Sequence, residues 1–281
     1  MAKFIKIKYN IYTMSLKKIN NINIKKIELD QDNVNYTYKD IFDSNKYFNC
    51  ALIGKSQAGK SNLLYNIVWG EYDKKNKKKS SLIQGIKKYP EFNTRVIIYS
   101  TNVEEDALYR KFTERLDKYE VNYKVIDNYN TIKNDLENMI KDMKTQKQLF
   151  MQFLEDKPKY KKINAYPLYL VIFDDFICTH PYMYDYMKLS RHEYCVNLIC
   201  IQNFKKIYHS ARDQLQYLII LDMSLKYLQE IYEEYFSNKT TFDEFYKIYC
   251  DVKKNNKYNF LFINTTNNKL RINFNYEIDF N

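Results

Sequence analysis

The chain has 281 residues, of which 45% are hydrophobic and 17% aromatic. This composition excludes a disordered chain and suffices for one large or two small domains with a buried core. The formal net charge of +11 favours a polyanionic partner. No apolar run reaches the roughly 18 residues of a membrane span, and no secretory leader precedes the first strand, so we expect an intracellular protein with reduced cysteines.

The first 46 residues predict a β-rich entry segment without recognisable chemistry. Two stretches alternate partly between apolar and polar residues, Phe4–Tyr9 and Ile22–Leu29, which is typical of short, half-exposed strands. We expect this segment to lead into a core at 47–222, followed by an extension at 223–281.

A phosphate-binding loop follows the first buried strand. Gly54–Ser61 reads G-x-x-x-x-G-K-S between the strand-like run Tyr47–Ile53 and the helix-like run Asn62–Val68, which is the context that a P-loop requires. Two of only four glycines in the chain occupy its glycine positions, which argues against a chance turn. The predicted nucleotide-binding residues are Gly54, Lys55, Ser56, Gln57, Ala58, Gly59, Lys60 and Ser61.

Two residues of this loop have individual roles in the prediction. Lys60 would reach the β- and γ-phosphates of ATP, and the Ser61 hydroxyl would ligate Mg²⁺. The helix that begins here points its positive end at the phosphates.

The next stretch predicts alternating elements. Tyr72–Ser81 is dense in charge and is either a solvated loop or a DNA-contacting one. The elements after it are a strand at Arg95–Ser100, a helix at Glu104–Glu114, a strand at Tyr123–Asp127 and a helix at Thr131–Leu154.

Three continuous apolar runs then end in polar residues, as strands of a parallel sheet do. Leu168–Phe173 ends in Asp174 and Asp175, which is the pattern of a Walker B strand. We predict that Asp174 holds Mg²⁺, usually through water, and that Asp175 is the catalytic base. Val196–Ile201 ends in Gln202, which either contacts the γ-phosphate and the water or only caps a loop.

The third run, Tyr217–Leu221, is followed by two predicted amphipathic helices and a hairpin. The helices are Ser224–Phe236 and Thr241–Asp251; the hairpin strands are Tyr258–Ile263 and Leu270–Phe274. The predicted fold is therefore an α/β P-loop NTPase with a mostly parallel central sheet flanked by helices, a small N-terminal β segment, and C-terminal helices plus a hairpin.

Two short pairs of possible zinc ligands form a competing hypothesis. Cys178 and His180 lie close in sequence, as do His192 and Cys195. The spacing of the first pair is tighter than is usual in zinc fingers.

The chain resembles the FtsK/HerA superfamily of P-loop DNA translocases, and within it the poxvirus-type genome-packaging ATPases of large DNA viruses and virophages. The specific part is an Arg-His pair before a strand that ends in Gln, with an Arg about ten residues later. The resemblance is carried by Gly54–Ser61, Val171–Phe176, Ser190–His192, Val196–Gln202, Ile207, Ala211–Arg212 and Tyr217–Leu221.

The resemblance implies an ATPase that translocates double-stranded DNA, packaging a viral genome into a preformed capsid. It also implies a homo-oligomeric ring in which Arg212, or else Arg191, reaches the ATP of a neighbouring subunit. Either arginine could instead form a structural ion pair. The chain departs from the family in its Lys-Ser-Gln-Ala loop interior, in Asp175 where Glu is frequent, and in Ser190 where Gly is frequent.

Capsid or portal-vertex proteins are further expected partners, and the host-cell viral factory or cytoplasm and the virion are expected locations. Three alternatives remain at this level: a cellular, plasmid or mobile-element translocase, a P-loop small-molecule kinase, and a non-catalytic NTP-binding assembly factor. A kinase would phosphorylate an acceptor without stimulation by DNA.

Overall fold

The protein is described from a computed structural model, in which the described residues are 4–6, 15–20, 42, 47–69, 72–73, 78–79, 82–83, 92–101, 103–128, 130–160, 166–176, 178–254 and 256–279. Its strands are β1 (Phe4–Lys6), β2 (Ser15–Lys18), β3 (Asn49–Ile53), β4 (Tyr72–Asp73), β5 (Lys78–Lys79), β6 (Arg95–Tyr99), β7 (Tyr123–Ile126), β8 (Tyr169–Asp174), β9 (Cys195–Ile201), β10 (Tyr217–Ile220), β11 (Leu261–Asn264), β12 (Lys269–Ile272) and β13 (Tyr276–Asp279). Its helices are α1 (Lys60–Trp69), α2 (Ala107–Lys118), α3 (Ile132–Asp156), α4 (Tyr182–Ser190), α5 (His209–Arg212), α6 (Leu225–Tyr235) and α7 (Phe242–Lys253).

Eleven of the strands form one sheet in the order β1-β2-β13-β12-β11-β10-β3-β9-β8-β6-β7. From β10 to β7 all neighbouring pairs are parallel, so six strands have their carboxyl ends at one edge. From β10 back to β1 all pairs are antiparallel. The prediction of an α/β P-loop NTPase fold with a mostly parallel central sheet is confirmed.

The helices cover both faces of this sheet because the strands alternate their buried side chains between two clusters. On β3, Cys50 and Leu52 pack with α1 and α2, whereas Ala51 and Ile53 face the cluster formed with α3, α4, α6 and α7. A sheet buried on both faces needs strands that are apolar throughout, and β3, β9 and β10 are buried along their whole length.

Capping residues explain where the helices begin. Asp106 accepts a hydrogen bond from the Leu108 amide, so α2 starts after it and not at Glu104, where the sequence predicted its start. Thr241 and Glu244 form a capping box at the start of α7.

Several features were absent from the sequence expectations. The structure adds the strands β2 and β13, which join the entry segment to the tail within one sheet, and the helix α4. The expected loop at Tyr72–Ser81 contains a two-stranded antiparallel ribbon of β4 and β5. The expected strand Ile22–Leu29 lies outside the described residues.

A buried polar network holds the opposite edge of the sheet, where the parallel strands begin. The Asn197 amide donates to Asn49 Oδ1 at 2.7 Å and to Ser190 Oγ at 2.8 Å, and Asn197 Oδ1 accepts from the Tyr186 hydroxyl at 2.7 Å. The Gln216 side chain accepts from the Asn49 backbone amide at 2.9 Å. All five side chains are paired, as buried polar groups must be to stabilise a core.

Candidate active site

The P-loop crosses the carboxyl end of β3, between the ends of β10 and β9. A Cβ added to Gly54 would lie 2.9 Å from Leu221 Cβ, so only glycine fits there. Gly59 has a φ of +98°, which glycine adopts without strain. The unusual loop interior is now explained: Lys55, Ser56 and Gln57 are exposed, and only Ala58 is buried and has to be small.

The two lysines of the loop differ in their surroundings. Lys60 is 7% exposed, and its ammonium donates to the carbonyls of Gly54 at 2.9 Å and Lys55 at 3.1 Å. Lys55 forms an ion pair with Asp222 at 2.5 Å on the surface. An exposed pair of this kind contributes little stability, so the Lys55 ammonium can turn to a phosphate at low cost.

Asp174 and Asp175 end β8 beside the P-loop, as the sequence predicted. Asp175 has a φ of 47°, an uncommon backbone conformation for a residue other than glycine. Its Oδ2 accepts a hydrogen bond from Gln202 Nε2 at 2.9 Å, while its Oδ1 is buried without a partner among the described residues. The structure therefore brings Gln202 and Asp175 together.

The electrostatics at this edge disfavour the charged form of Asp174. Burial, together with the neighbouring charge of Asp175, raises the pKa of Asp174 to about 6, although a hydrogen bond from Tyr109 and the Lys60 ammonium act in the opposite direction. A cation bound beside Asp174 would stabilise its charged form.

Tyr109 is a residue of this site that the sequence did not reveal. It projects from α2, is 2% exposed, and its buried hydroxyl lies next to Asp174. Burial, and then the charge of the adjacent Asp174, raise its pKa well above the usual value. Nothing in the helix periodicity distinguishes this tyrosine from a core aromatic residue.

The residues present fit a magnesium ion. Mg²⁺ in nucleotide sites takes one or two carboxylates and completes its octahedron with waters and phosphate oxygens. Asp174 with its raised pKa, the unpartnered Asp175 oxygen and the Ser61 hydroxyl at the start of α1 provide that donor set. Clusters of three or more His, Cys, Asp or Glu side chains do not occur among the residues that the structure describes.

The zinc hypothesis is not supported by the geometry. Cys178 follows β8 at its carboxyl end, whereas Cys195 is the first residue of β9 and pairs with Tyr169 at the start of β8. The length of β8 separates them by roughly 17 Å at 3.3 Å per residue, so one ion cannot contact both.

The two candidate arginines have different partners. Arg212 on α5 pairs with Glu234 at 2.9 Å, donates to the Ile207 carbonyl at 3.1 Å, and stacks on Phe204. Arg191 donates only to the Gln214 side chain, at 3.2 Å, and its Nε is buried with no partner found among the described residues. Burial lowers its pKa.

An open cleft of about 450 Å³ adjoins the P-loop, between the turns that follow β9 and β10. Its lining combines two lysines and three uncharged polar residues with a methionine and one aromatic ring. The lining residues are Lys55, Gln202, Asn203, Lys206, Met223, Ser224 and Tyr227.

The described helices include none that combines the length and the apolar character needed to cross a bilayer.

No protein-family model matches the chain, and no curated protein matches it in sequence. Solved structures do. The genome-packaging NTPase B204 of Sulfolobus turreted icosahedral virus 2, in complex with AMP, is 14% identical with a TM-score of 0.49, over 82% of this chain and 98% of that one. In a complex of B204 with ATP-gammaS the TM-score is 0.47 at 15% identity, over 82% and 97% of the two chains.

Two further likenesses are to longer proteins. The pCW3 conjugation coupling protein TcpA is 14% identical with a TM-score of 0.43, over 78% of this chain and 58% of that one. EssC from Geobacillus thermodenitrificans is 12% identical with a TM-score of 0.46, over 82% and 39%. A viral packaging NTPase thus occurs among the similar structures, and the function below rests on the site's own residues.

Proposed function

We propose that the protein is an ATPase that translocates double-stranded DNA and packages a viral genome into a preformed capsid. One observation carries the ATPase part: the P-loop, the carboxylates Asp174 and Asp175, and Gln202 meet at one edge of the sheet, with Gln202 bonded to Asp175 at 2.9 Å. A site that only bound nucleotide would have no use for the second carboxylate.

Each of these residues has a chemical role in this proposal. The loop amides and Lys60 bind the β- and γ-phosphates. Ser61 and Asp174 would hold Mg²⁺, which neutralises charge on the phosphates when bound. The free oxygen of Asp175 accepts a proton from the attacking water, and Gln202 fixes both the carboxylate and that water.

The proposal includes a ring in which an arginine of one subunit stabilises the transition state in the next. Arg191 is supported by its lack of a carboxylate partner among the described residues. Arg212 must first leave Glu234, whose own pKa is raised because burial outweighs the effect of Arg212. In a free subunit Glu234 would then hold Arg212, and the docking of a neighbouring subunit would release it.

The DNA part is supported by the formal net charge of +11 and by the motif block around Gln202. Contacts to phosphates carry no sequence information, so binding would be insensitive to sequence and would weaken steeply with salt. Capsid or portal-vertex proteins are proposed as partners at the site of packaging.

The test is ATP hydrolysis by the assembled protein with and without double-stranded DNA. We expect turnover that needs Mg²⁺ and rises with DNA of any sequence, and no turnover for Lys60→Ala. ATP turnover that does not change when DNA is added would contradict the proposed translocase. Phosphate transfer to a small acceptor would instead identify a kinase, and ATP binding without hydrolysis would identify an assembly factor.

The trans arginine has its own test. Lys60→Ala subunits are expected to be inactive alone, and so are subunits that lack the trans arginine, through Arg212→Ala or else Arg191→Ala. Mixing the arginine variant with Lys60→Ala subunits should restore part of the activity. At some interfaces the intact P-loop of the arginine variant then meets the intact arginine of a Lys60→Ala subunit. Absence of any recovery for both arginines contradicts a trans role.

A further inference from the structure

Tyr258 is an exposed aromatic residue that lies against the P-loop. It belongs to the turn between α7 and β11, and 55% of its surface is exposed. A Cβ built on Gly59 would be 3.6 Å from Cδ1 of the Tyr258 ring, which is van der Waals contact. Tyr258 is more exposed than any other large hydrophobic side chain of the described residues.

The turn that carries Tyr258 is held in place by hydrogen bonds. Asn256 accepts from the Tyr258 amide through its side chain at 2.9 Å and from the Asn259 amide through its carbonyl at 2.9 Å. Asn259 donates to the Val252 carbonyl at 2.9 Å, and the Lys253 ammonium donates to the carbonyls of Lys257 and Asn259. The turn is thus braced against the end of α7.

The position of the ring relative to the sheet decides what it can touch. Asp174, Asp175 and Gln202 follow β8 and β9, on one side of the P-loop strand β3. Tyr258 precedes β11, which pairs with β10 on the other side of β3. A triphosphate whose γ end faces the carboxylates extends its α-phosphate, sugar and base away from them, which is toward β10 and Tyr258.

The Lys257 ammonium lies over the Tyr258 ring, 4.9 Å from its centroid. Because the Lys257 side chain is exposed, it can move aside and leave that face of the ring to a ligand. Aromatic rings stack on nucleobases through the same face that attracts a cation.

We propose that Tyr258 stacks on the base of the nucleoside triphosphate held by the P-loop, an inference that rests on the function proposed above. Stacking uses the face of the base, which all bases share. Tyr258 therefore supplies affinity for nucleotides without distinguishing adenine from guanine.

The experiment measures the binding of MgATP, MgGTP and inorganic tripolyphosphate by calorimetry. Tyr258→Ala should weaken both nucleotides about tenfold, in the range found for base stacking, while tripolyphosphate binds as before because it has no base. Tyr258→Phe should bind like the unsubstituted protein. Tyr246→Ala is the matched control, since Tyr246 is also exposed but packs on Phe242 of its own helix.

A second variant reports the contact directly. In Tyr258→Trp, ATP should quench the new indole fluorescence and tripolyphosphate should leave it unchanged, whereas the buried Trp69 of the unsubstituted protein gives the background.

Unchanged ATP affinity in Tyr258→Ala overturns the base contact, and so does an equal loss for tripolyphosphate. If ATP affinity falls in Tyr227→Ala but not in Tyr258→Ala, the base binds in the cleft and the proposed contact with Tyr258 is overturned too. If the unsubstituted protein binds no nucleotide, both proposals fail; if it binds ATP but never hydrolyses it, only the proposed function fails.

Discussion

The two edges of the parallel sheet use buried polar residues in opposite ways. At the edge where the strands begin, Asn49, Asn197 and Tyr186 satisfy one another through short hydrogen bonds. At the edge where the strands end, Asp175 keeps an unpaired buried oxygen in a strained backbone conformation, and Asp174 has a pKa raised to about 6.

The difference teaches how to separate structure from function in this protein. Paired polar groups stabilise a fold, whereas unpaired or crowded ones cost stability and persist where a ligand can complete them. Substitutions at the first edge should therefore affect unfolding, and substitutions at the second should affect turnover.

The largest expected effect is at the second edge. Asp174→Asn removes the carboxylate proposed to hold Mg²⁺, and we expect ATP turnover to fall by about 10²–10³-fold. The free energy of unfolding at pH 7 should not fall, because a crowded buried charge disappears. Steady-state phosphate release and urea unfolding of the same samples test both statements. A variant that unfolds readily would contradict the comparison.

At the first edge, Asn197→Ala should destabilise the protein by about 2–4 kcal/mol, since it leaves groups of Asn49, Ser190 and Tyr186 unpaired. Tyr186→Phe removes one hydroxyl and should cost about 1–2 kcal/mol. Turnover per folded molecule should remain close to that of the unsubstituted protein at low temperature. Equal loss of activity and stability would show that the two edges are coupled.

Acid titration gives a smaller effect. Because the pKa of Asp174 is raised from 3.8 to about 6, the native state binds more protons than the unfolded state in between, so stability falls as pH rises through this window. The loss between pH 5 and pH 7 should be roughly 1 kcal/mol. In Asp174→Asn this component should be absent, as chemical denaturation at the two pH values can show.

The smallest expected effect concerns the loop interior. Gln57 has a φ of 62° and an exposed side chain. Gln57→Gly should relieve the left-handed strain and, against the entropy of glycine, change stability by no more than about 1 kcal/mol. Thermal unfolding measures this, and Gly59→Ala, where the φ of +98° is unsuited to any side chain, should be clearly worse.

The sequence predicted which residues lie at the second edge better than it predicted their surroundings. Gly54–Ser61, Asp174 and Asp175 are recognisable because a local spacing specifies their chemistry, and parallel strands bring their ends together. The bond between Gln202 and Asp175 follows from the same rule, although the sequence alone left Gln202 open to a capping role.

The site residues that come from other helices and turns could not be predicted from the sequence. Tyr109 and Tyr258 are two among 29 tyrosines, and only the packing of α2 and of the turn before β11 brings them to the site. The helix α4 was missed although Met183, Tyr186 and Met187 recur at helical spacing, because half-buried apolar residues on its other sides blur that stripe. The polar network was missed because its members are far apart in the chain.

The pairing of β11 with β10 has a consequence for how the chain can be shortened. Tyr217–Ile220 is buried along its length and is hydrogen-bonded on both sides, by β3 and by β11. A protein cut after Asp222 would keep every motif singled out in the sequence, yet it would present this apolar strand as a bare edge, a template for edge-to-edge aggregation. The tail therefore covers the edge of the parallel part of the sheet, and solubility sets the shortest useful fragment.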